Sequence, residues 1–224
     1  MSELAAYDHD MDETPPAPEP VANQAVNLPP AAPLGEEAEA SLYRFTVDQY
    51  LEAARLGIFP DGEKIELIEG IIVKMSPIGE AHNWGTSDLI AVFARLIIEK
   101  RAAVCSQSTI RLKRSAPEPD LILVRTESIN RKSLPTAAEI ALLVEASDSS
   151  IRKDRSYKLA MYAAECVVEY WIVNLQAKEI EVYREPNAAG RTYASKQTFK
   201  IGDSVAPLAF PDYFVAVADV FAAG

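Results

Sequence analysis

The sequence predicts a mixed α/β domain built around a central sheet, and three observations carry that prediction. Two apolar runs, Leu121-Ile122-Leu123-Val124 and Ile140-Ala141-Leu142-Leu143-Val144, have the length of buried strands. A helical stripe follows, with Leu159, Tyr162, Ala163 and Cys166 spaced i, i+3, i+4 and i+7. Two further strand-like segments, Glu169 to Leu175 and Glu179 to Arg184, come after that helix, so strands and helices interleave.

Taken from the N-terminus, residues 1–41 hold nine of the 33 acids, no Lys or Arg, and seven of the fifteen prolines. A segment so composed has little to bury against its ordering entropy and is expected to be a disordered acidic tail. The rest, 42–224, is expected to be one folded domain, which its length allows. That domain keeps 24 acids against all 22 bases and is close to neutral, although the whole chain carries −11. A neutral body can still present a local basic face, so the acidic total does not exclude a nucleic-acid partner.

Within the domain, Thr46 can cap a helix through Ile58, with Tyr50, Leu51, Ala54 and Ile58 on one face. Residues Lys64 to Met75 read as two strands turning at Gly70. A long helix is expected from about Glu80 to Lys100, with Trp84, Leu89, Val92, Phe93, Leu96 and Ile97 at helical spacing and both Trp84 and Trp171 as core or interface aromatics. Strands are then expected around Val104 to Ser106 and Thr109 to Lys113, before the two apolar runs. After Ser147-Asp148-Ser149-Ser150 comes the helix from about Lys153 to Glu165, and the last part of the chain gives a strand over Arg191 to Lys200 and a short terminal helix within Phe210 to Phe221.

Several classes fall away on composition. Cys105 and Cys166 lack CxxC spacing and are expected to be buried small hydrophobes in a reducing compartment, not disulfide partners or zinc ligands. No apolar stretch approaches the roughly 20 residues of a membrane span, and the first residues lack the basic and apolar regions of a secretory signal. A cytoplasmic protein without membrane contact is expected.

The chemistry is written at the ends of the two apolar runs. Pro119-Asp120 opens one and Glu145 closes the other. If the two strands pair antiparallel, the end of one lies beside the start of the other, and Asp120 and Glu145 share one edge of the sheet. Carboxylates at the rim of an apolar sheet repel one another and resist desolvation, which a divalent cation between them relieves. Lys158 lies one turn before Tyr162 on the following helix, so its ammonium emerges at the margin of the face that covers the sheet. Oxygen ligands without His or Cys favour Mg²⁺ or Mn²⁺. Such an ion with a nearby ammonium meets the requirements of phosphodiester hydrolysis.

The run from Pro119-Asp120 through Glu145-Ala146-Ser147 to Lys158, with Tyr162 and Glu169-Tyr170-Trp171-Ile172-Val173, resembles the Uma2 family of the PD-(D/E)xK superfamily. The resemblance includes Glu66-Leu67-Ile68-Glu69-Gly70, Met75-Ser76-Pro77 and His82, and spans about residues 43–215. It implies a restriction-endonuclease-like fold, a central mixed sheet flanked by helices. It further implies a metal-dependent endonuclease acting on nucleic acid, DNA foremost. In the wider superfamily the lysine stands two residues after the second acid. That place holds Ser147 in this chain, and the sequence resembles the variant whose lysine has moved to the next helix, at Lys158.

By that resemblance Asp120 and Glu145 are metal ligands and Lys158 is the catalytic cation, with Glu66 as a further acid reaching the metal directly or through water. Glu69 competes for that role, but alternation puts it on the opposite strand face from Glu66. Asp154 orients Lys158, and His82 and Ser147 are accessory. Each has a plainer reading: Asp120 as a turn acid at the start of its strand, Glu145 in an internal ion pair, Lys158 paired only with Asp154, and His82 as a packing residue. Basic residues Arg111, Lys113 and Arg114, and Arg152, Lys153 and Arg155, flank the site and could neutralise phosphates. A homodimer would supply two sites for two strands. The alternative function is a non-catalytic interaction module on the same fold, for which a direct Glu145–Lys158 pair that keeps a cation out would be the sign.

Overall fold

The computed structural model describes residues 39, 41–60, 62–75 and 80–221, without the side chains of residues 80–83. The chain divides into two units, Met1–Leu42 and Tyr43–Gly224, and the fold is that of the second. The expected disordered tail falls almost wholly outside the described residues. So does the side chain of His82.

Helix α1 (Val47–Arg55) begins at Thr46, whose hydroxyl accepts from Gln49 N while the Gln49 side chain returns to Thr46 N. This reciprocal cap satisfies two of the first-turn N–H groups. The helix stops at Leu56, short of the expected Ile58, which is exposed. Strands β1 (Ile65–Ile68) and β2 (Ile71–Lys74) form an antiparallel hairpin. Glu69 and Gly70 turn it with φ of 52° and 82°, the two positive values a tight hairpin turn demands. A Cβ at position 70 would come within 2.7 Å of Arg44 Cβ, so glycine is required there twice over.

The long helix α2 (Glu80–Ile98) precedes β3 (Ala102–Ser106), β4 (Leu121–Arg125) and β5 (Ile140–Ser147). Helix α3, residues 151–164, crosses over to β6 (Glu169–Asn174), which is followed by β7 (Glu179–Asn187) and β8 (Thr192–Lys200). Two short strands, β9 (Ser204–Val205) and β10 (Val215–Ala216), and a 3₁₀ turn (Val217–Phe221) complete the chain. Strands β3 to β8 lie in chain order in one six-stranded sheet, antiparallel throughout except between β5 and β6. The one parallel pair is the one joined by a helix, because only a crossover can return the chain to the same end.

The period of two along each strand divides the core into two layers. Leu121, Leu123, Leu142, Val144, Trp171 and Val173 face α2, where Leu89, Phe93 and Leu96 are fully buried. Each such side chain contributes about 1.5–3 kcal/mol by leaving water. On the other face, Ile122, Leu143, Tyr170 and Ile172 meet Met161, Tyr162 and Ala163 of α3. A smaller cluster of Val47, Tyr50, Leu67 and Ala116 ties α1 and the β1–β2 hairpin together. These layers match the restriction-endonuclease-like mixed sheet expected from the sequence.

Three expectations are corrected, one strand and the burial of each cysteine, and Trp84 keeps only the interface half of its expected role. Thr109 to Lys113 forms no ladder strand; Ile110 N bonds Pro117 O and Leu112 N bonds Ser115 O, so the chain folds back on itself. Prolines at 117 and 119 cannot donate to a ladder, which is why. Trp84 is 65% exposed and not core, whereas Trp171 is fully buried. Cys166 is exposed and Cys105 half-buried. Cys166 ends α3 with φ 60°, its N–H on Ala163 O and that of Val167 on Tyr162 O, a reversal that throws its side chain off the core stripe.

Candidate active site

Register brings the two acids together. Leu121 pairs with Val144 in the antiparallel β4–β5 ladder, so Asp120 and Glu145 stand next to one another at its end. Alternation then decides which face they use: Glu145 and Ser147 follow Leu143, Asp120 precedes Ile122, and all point toward α3. Asp120 and Glu145 are both buried. Asp120 Oδ2 accepts the N–H of Ala146 at 2.7 Å, which fixes its carboxylate against the neighbouring strand. Glu66 arrives from the hairpin on the same strand face as Ile68, buried among the same layer. Its Oε2 accepts Glu118 N at 3.5 Å. Glu69 sits in the turn instead, 3.1 Å from Arg191, outside the site.

Lys158 reaches the acids from above. Its Nζ donates to Glu145 Oε1 at 2.9 Å, and the hydroxyl of Tyr162 donates to the same oxygen at 2.7 Å. The helix that carries Lys158 is not a plain α-helix. Between an α turn (Ile151–Lys153) and an α segment (Leu159–Ala164), residues Asp154–Lys158 form a π-helix. Leu159 N bonds back to Asp154 O, and Tyr170 donates its hydroxyl to that same carbonyl at 3.2 Å. Such a widened turn re-aims the side chains it contains and recurs at functional sites. It buries Asp154 and Lys158 together, with Lys158 Nζ 3.8 Å from Asp154 Oδ1. Asp154 Oδ2 accepts the hydroxyls of Ser147 and of Ser150, the latter at 2.7 Å.

Electrostatics follow from this burial. Desolvation pushes Glu145 well above the ordinary carboxylate range, against the pull of Lys158 and with the help of Asp120 and Asp154. Glu66 is also raised, first by burial and then by Glu118 and Asp154, with Lys158 opposing. For Lys158, burial works against its charge, but Glu145, Glu66 and Asp154 outweigh it and raise its pKa. The lysine is therefore an ammonium at neutral pH, a donor and a charge stabiliser, not a base. Tyr162 is raised by burial and by Glu145, so it remains a hydroxyl donor.

The donor chemistry suits a hard divalent cation: the acids are oxygen donors, and two of them are held at a desolvation cost that a positive charge would offset. Among the described residues no three His, Cys, Asp or Glu side chains are gathered closely enough to enclose an ion. The fit therefore rests on the Asp120–Glu145 pair, with Glu66 behind it. Sequence reasoning missed three contributors. The Tyr162 and Ser150 hydroxyls could have been sought because buried polar groups need partners, as Ser147, already expected to be accessory, does in bonding Asp154. The half-exposed Tyr157, beside Lys158 and in the field of Glu66, left no signal.

Of the expected basic flank, Arg155 is taken up by Glu181 through two bonds of 3.0 and 2.8 Å, Arg111 pairs with Asp48, and Arg114 lies 3.9 Å from Glu69. Arg155 thereby secures the first turns of α3 to β7, and its guanidinium is not spare for phosphate.

A mixed sheet with two carboxylates at adjoining strand ends, and a lysine brought over them by the crossover helix, defines a restriction-endonuclease-like domain. The family model of Uma2, described as "Putative restriction endonuclease", matches residues 47–218, and the chain belongs to that family. In structure it is similar to "a putative nuclease belonging to DUF820" from Anabaena variabilis, with a TM-score of 0.63 and 15% identity over 80% of this chain and 98% of that one. The type IIG restriction endonuclease BpuSI aligns with a TM-score of 0.37 and 13% identity over 66% of this chain and 16% of its own. No curated protein matches the chain. Among the described residues no helix is long and apolar enough to cross a membrane.

Proposed function

We propose that this domain is an endonuclease that hydrolyses phosphodiester bonds, in DNA foremost, with Mg²⁺ or Mn²⁺. The observation that carries the reading is the meeting of Asp120, Glu145 and Lys158 at one rim of the sheet in a member of a nuclease-like family. A cation held by Asp120 and Glu145, with Glu66 reaching it directly or through water, would polarise a phosphoryl oxygen and acidify a water. Asp120 is set by the Ala146 N–H and Glu145 by the Tyr162 hydroxyl, so both carboxylates are oriented before substrate arrives. The Lys158 ammonium, kept charged by its acidic neighbours, stabilises the negative charge that builds on phosphorus in the transition state.

The test is cleavage of supercoiled plasmid and of RNA with Mg²⁺, with Mn²⁺ and with chelator, using wild type beside Asp120→Asn and Lys158→Ala. Nicking that needs the cation and falls by about 100-fold or more in both folded variants is expected. Equal cleavage by the variants would contradict the assignment.

A second reading rests on the direct Glu145–Lys158 bond of 2.9 Å. A permanent ion pair there would make the domain a non-catalytic interaction module. In that case wild type cleaves neither plasmid nor RNA under any cation.

A further inference from the structure

Glu145 Oε1 accepts two donors, the Lys158 ammonium at 2.9 Å and the Tyr162 hydroxyl at 2.7 Å. Under the proposed function the same carboxylate also takes a divalent cation. An ammonium and a dication on one buried carboxylate repel strongly, since little solvent lies between them to screen the charges. Either the lysine excludes the cation or it has somewhere else to go.

A second acceptor stands beside it. Asp154 is 1% exposed, and its two oxygens are used differently. Oδ2 is filled by the Ser147 and Ser150 hydroxyls, whereas Oδ1 is buried and has no hydrogen-bond partner among the described residues. That oxygen is aimed at Lys158 Nζ, 3.8 Å away. A buried carboxylate oxygen without a donor is rare enough to require a reason. The π segment supplies the geometry, because it buries residues 154 and 158 together at the same rim.

We propose that Asp154 Oδ1 is a second seat for the Lys158 ammonium, taken up when a cation binds Glu145. A shift of about 1 Å brings Nζ to charge-assisted bonding distance from Oδ1. The two serines keep the receiving carboxylate from turning away. Asp154 is thus a positioning residue: it lets Glu145 give up its lysine without the lysine leaving the site. This rests on the metal-dependent reading of the Asp120–Glu145 pair.

The experiment is calorimetric titration of the full chain with Mn²⁺ alone, for wild type, Asp154→Asn, Lys158→Met and the double variant. Asp154→Asn is expected to weaken Mn²⁺ binding roughly tenfold, because the ammonium then has no negative seat to move to. In the Lys158→Met background the same change is expected to have no such effect. An undiminished affinity in Asp154→Asn, or an equal loss in both backgrounds, would overturn the proposal. Wild type that binds no Mn²⁺ would instead bring down the underlying metal site, a result visible before any variant is made. Should Asp154→Asn fail to fold, the ¹⁵Nζ resonance of Lys158 in wild type decides the matter: it should move on Mg²⁺ addition, and a resonance that stays put overturns the two-seat device.

Discussion

Glu66 and Glu145 both sit above the ordinary carboxylate range because burial penalises their charge. Their pKa values in the fold exceed those in the unfolded chain, so the native state binds more protons across the interval. Stability therefore falls as pH rises from the ordinary glutamate value of about 4.3 through the raised values. Glu66→Gln removes one such group. In urea melts across pH this variant should lose less stability on going from acid to neutral pH, and at pH 7 should match wild type or exceed it by about 1 kcal/mol. A clear loss at pH 7 would mean that Glu66 is a structural acid. Lys158→Met works in the opposite direction, since it strands Glu145 without its cation, and should cost about 3–5 kcal/mol at neutral pH but less in acid, where Glu145 can take a proton. At this scale the meeting of Asp120 and Glu145 was legible from the ends of the apolar runs, whereas Glu69 stands apart from Glu66 because it occupies the hairpin turn and not, as alternation implied, the opposite face of the strand. The hydroxyl ties were not legible, because a buried Tyr162 in a helical stripe reads simply as core.

Helix α3 is the element on which the site turns. Its residues, from Ile151 to Ala164, fit an ordinary amphipathic helix, and nothing in their spacing announces a π segment over Asp154–Lys158. The reason is physical: one widened turn changes the period of the whole stripe by less than one residue, which pattern reading cannot resolve. Its role is open to test. Deleting Ser156, an exposed residue inside the segment, should restore α spacing and rotate Asp154 by about 100° relative to Lys158. Far-UV circular dichroism should keep its helical signal while plasmid cleavage falls about 100-fold. Full cleavage by the deletion variant would show that the widened turn is incidental. The failed strand at Thr109 to Lys113 teaches a related lesson: β-branched residues were visible there, but Pro117 and Pro119 ahead of Asp120 deny the returning chain a ladder, so Ile110 and Leu112 bond Pro117 and Ser115 while Ala116 bridges Leu67.

The whole molecule divides its work between the two faces of the sheet. The face under α3 carries the acids and the lysine; the face under α2 carries a fully buried structural acid, Glu169. Its Oε1 accepts Arg184 at 2.8 and 2.6 Å and the Trp171 indole at 2.9 Å, and its Oε2 accepts Leu208 N at 2.7 Å. Glu169→Ala leaves three donors unpaired and should lower the melting temperature by about 10 °C, with cleavage per folded molecule unchanged. A fall in that specific rate would link the two faces. The sheet order was legible only in part, for the helix between β5 and β6 implies their parallel pairing, whereas nothing in the residues dictates the antiparallel β4–β5 pair, with Leu121 opposite Val144, that creates the site. The decisive measurement is diffraction at the manganese edge from crystals soaked in Mn²⁺. An anomalous peak between the carboxylates of Asp120 and Glu145 is expected; well-ordered carboxylates with no peak between them at saturating Mn²⁺, and Lys158 still on Glu145, would rule the metal site out.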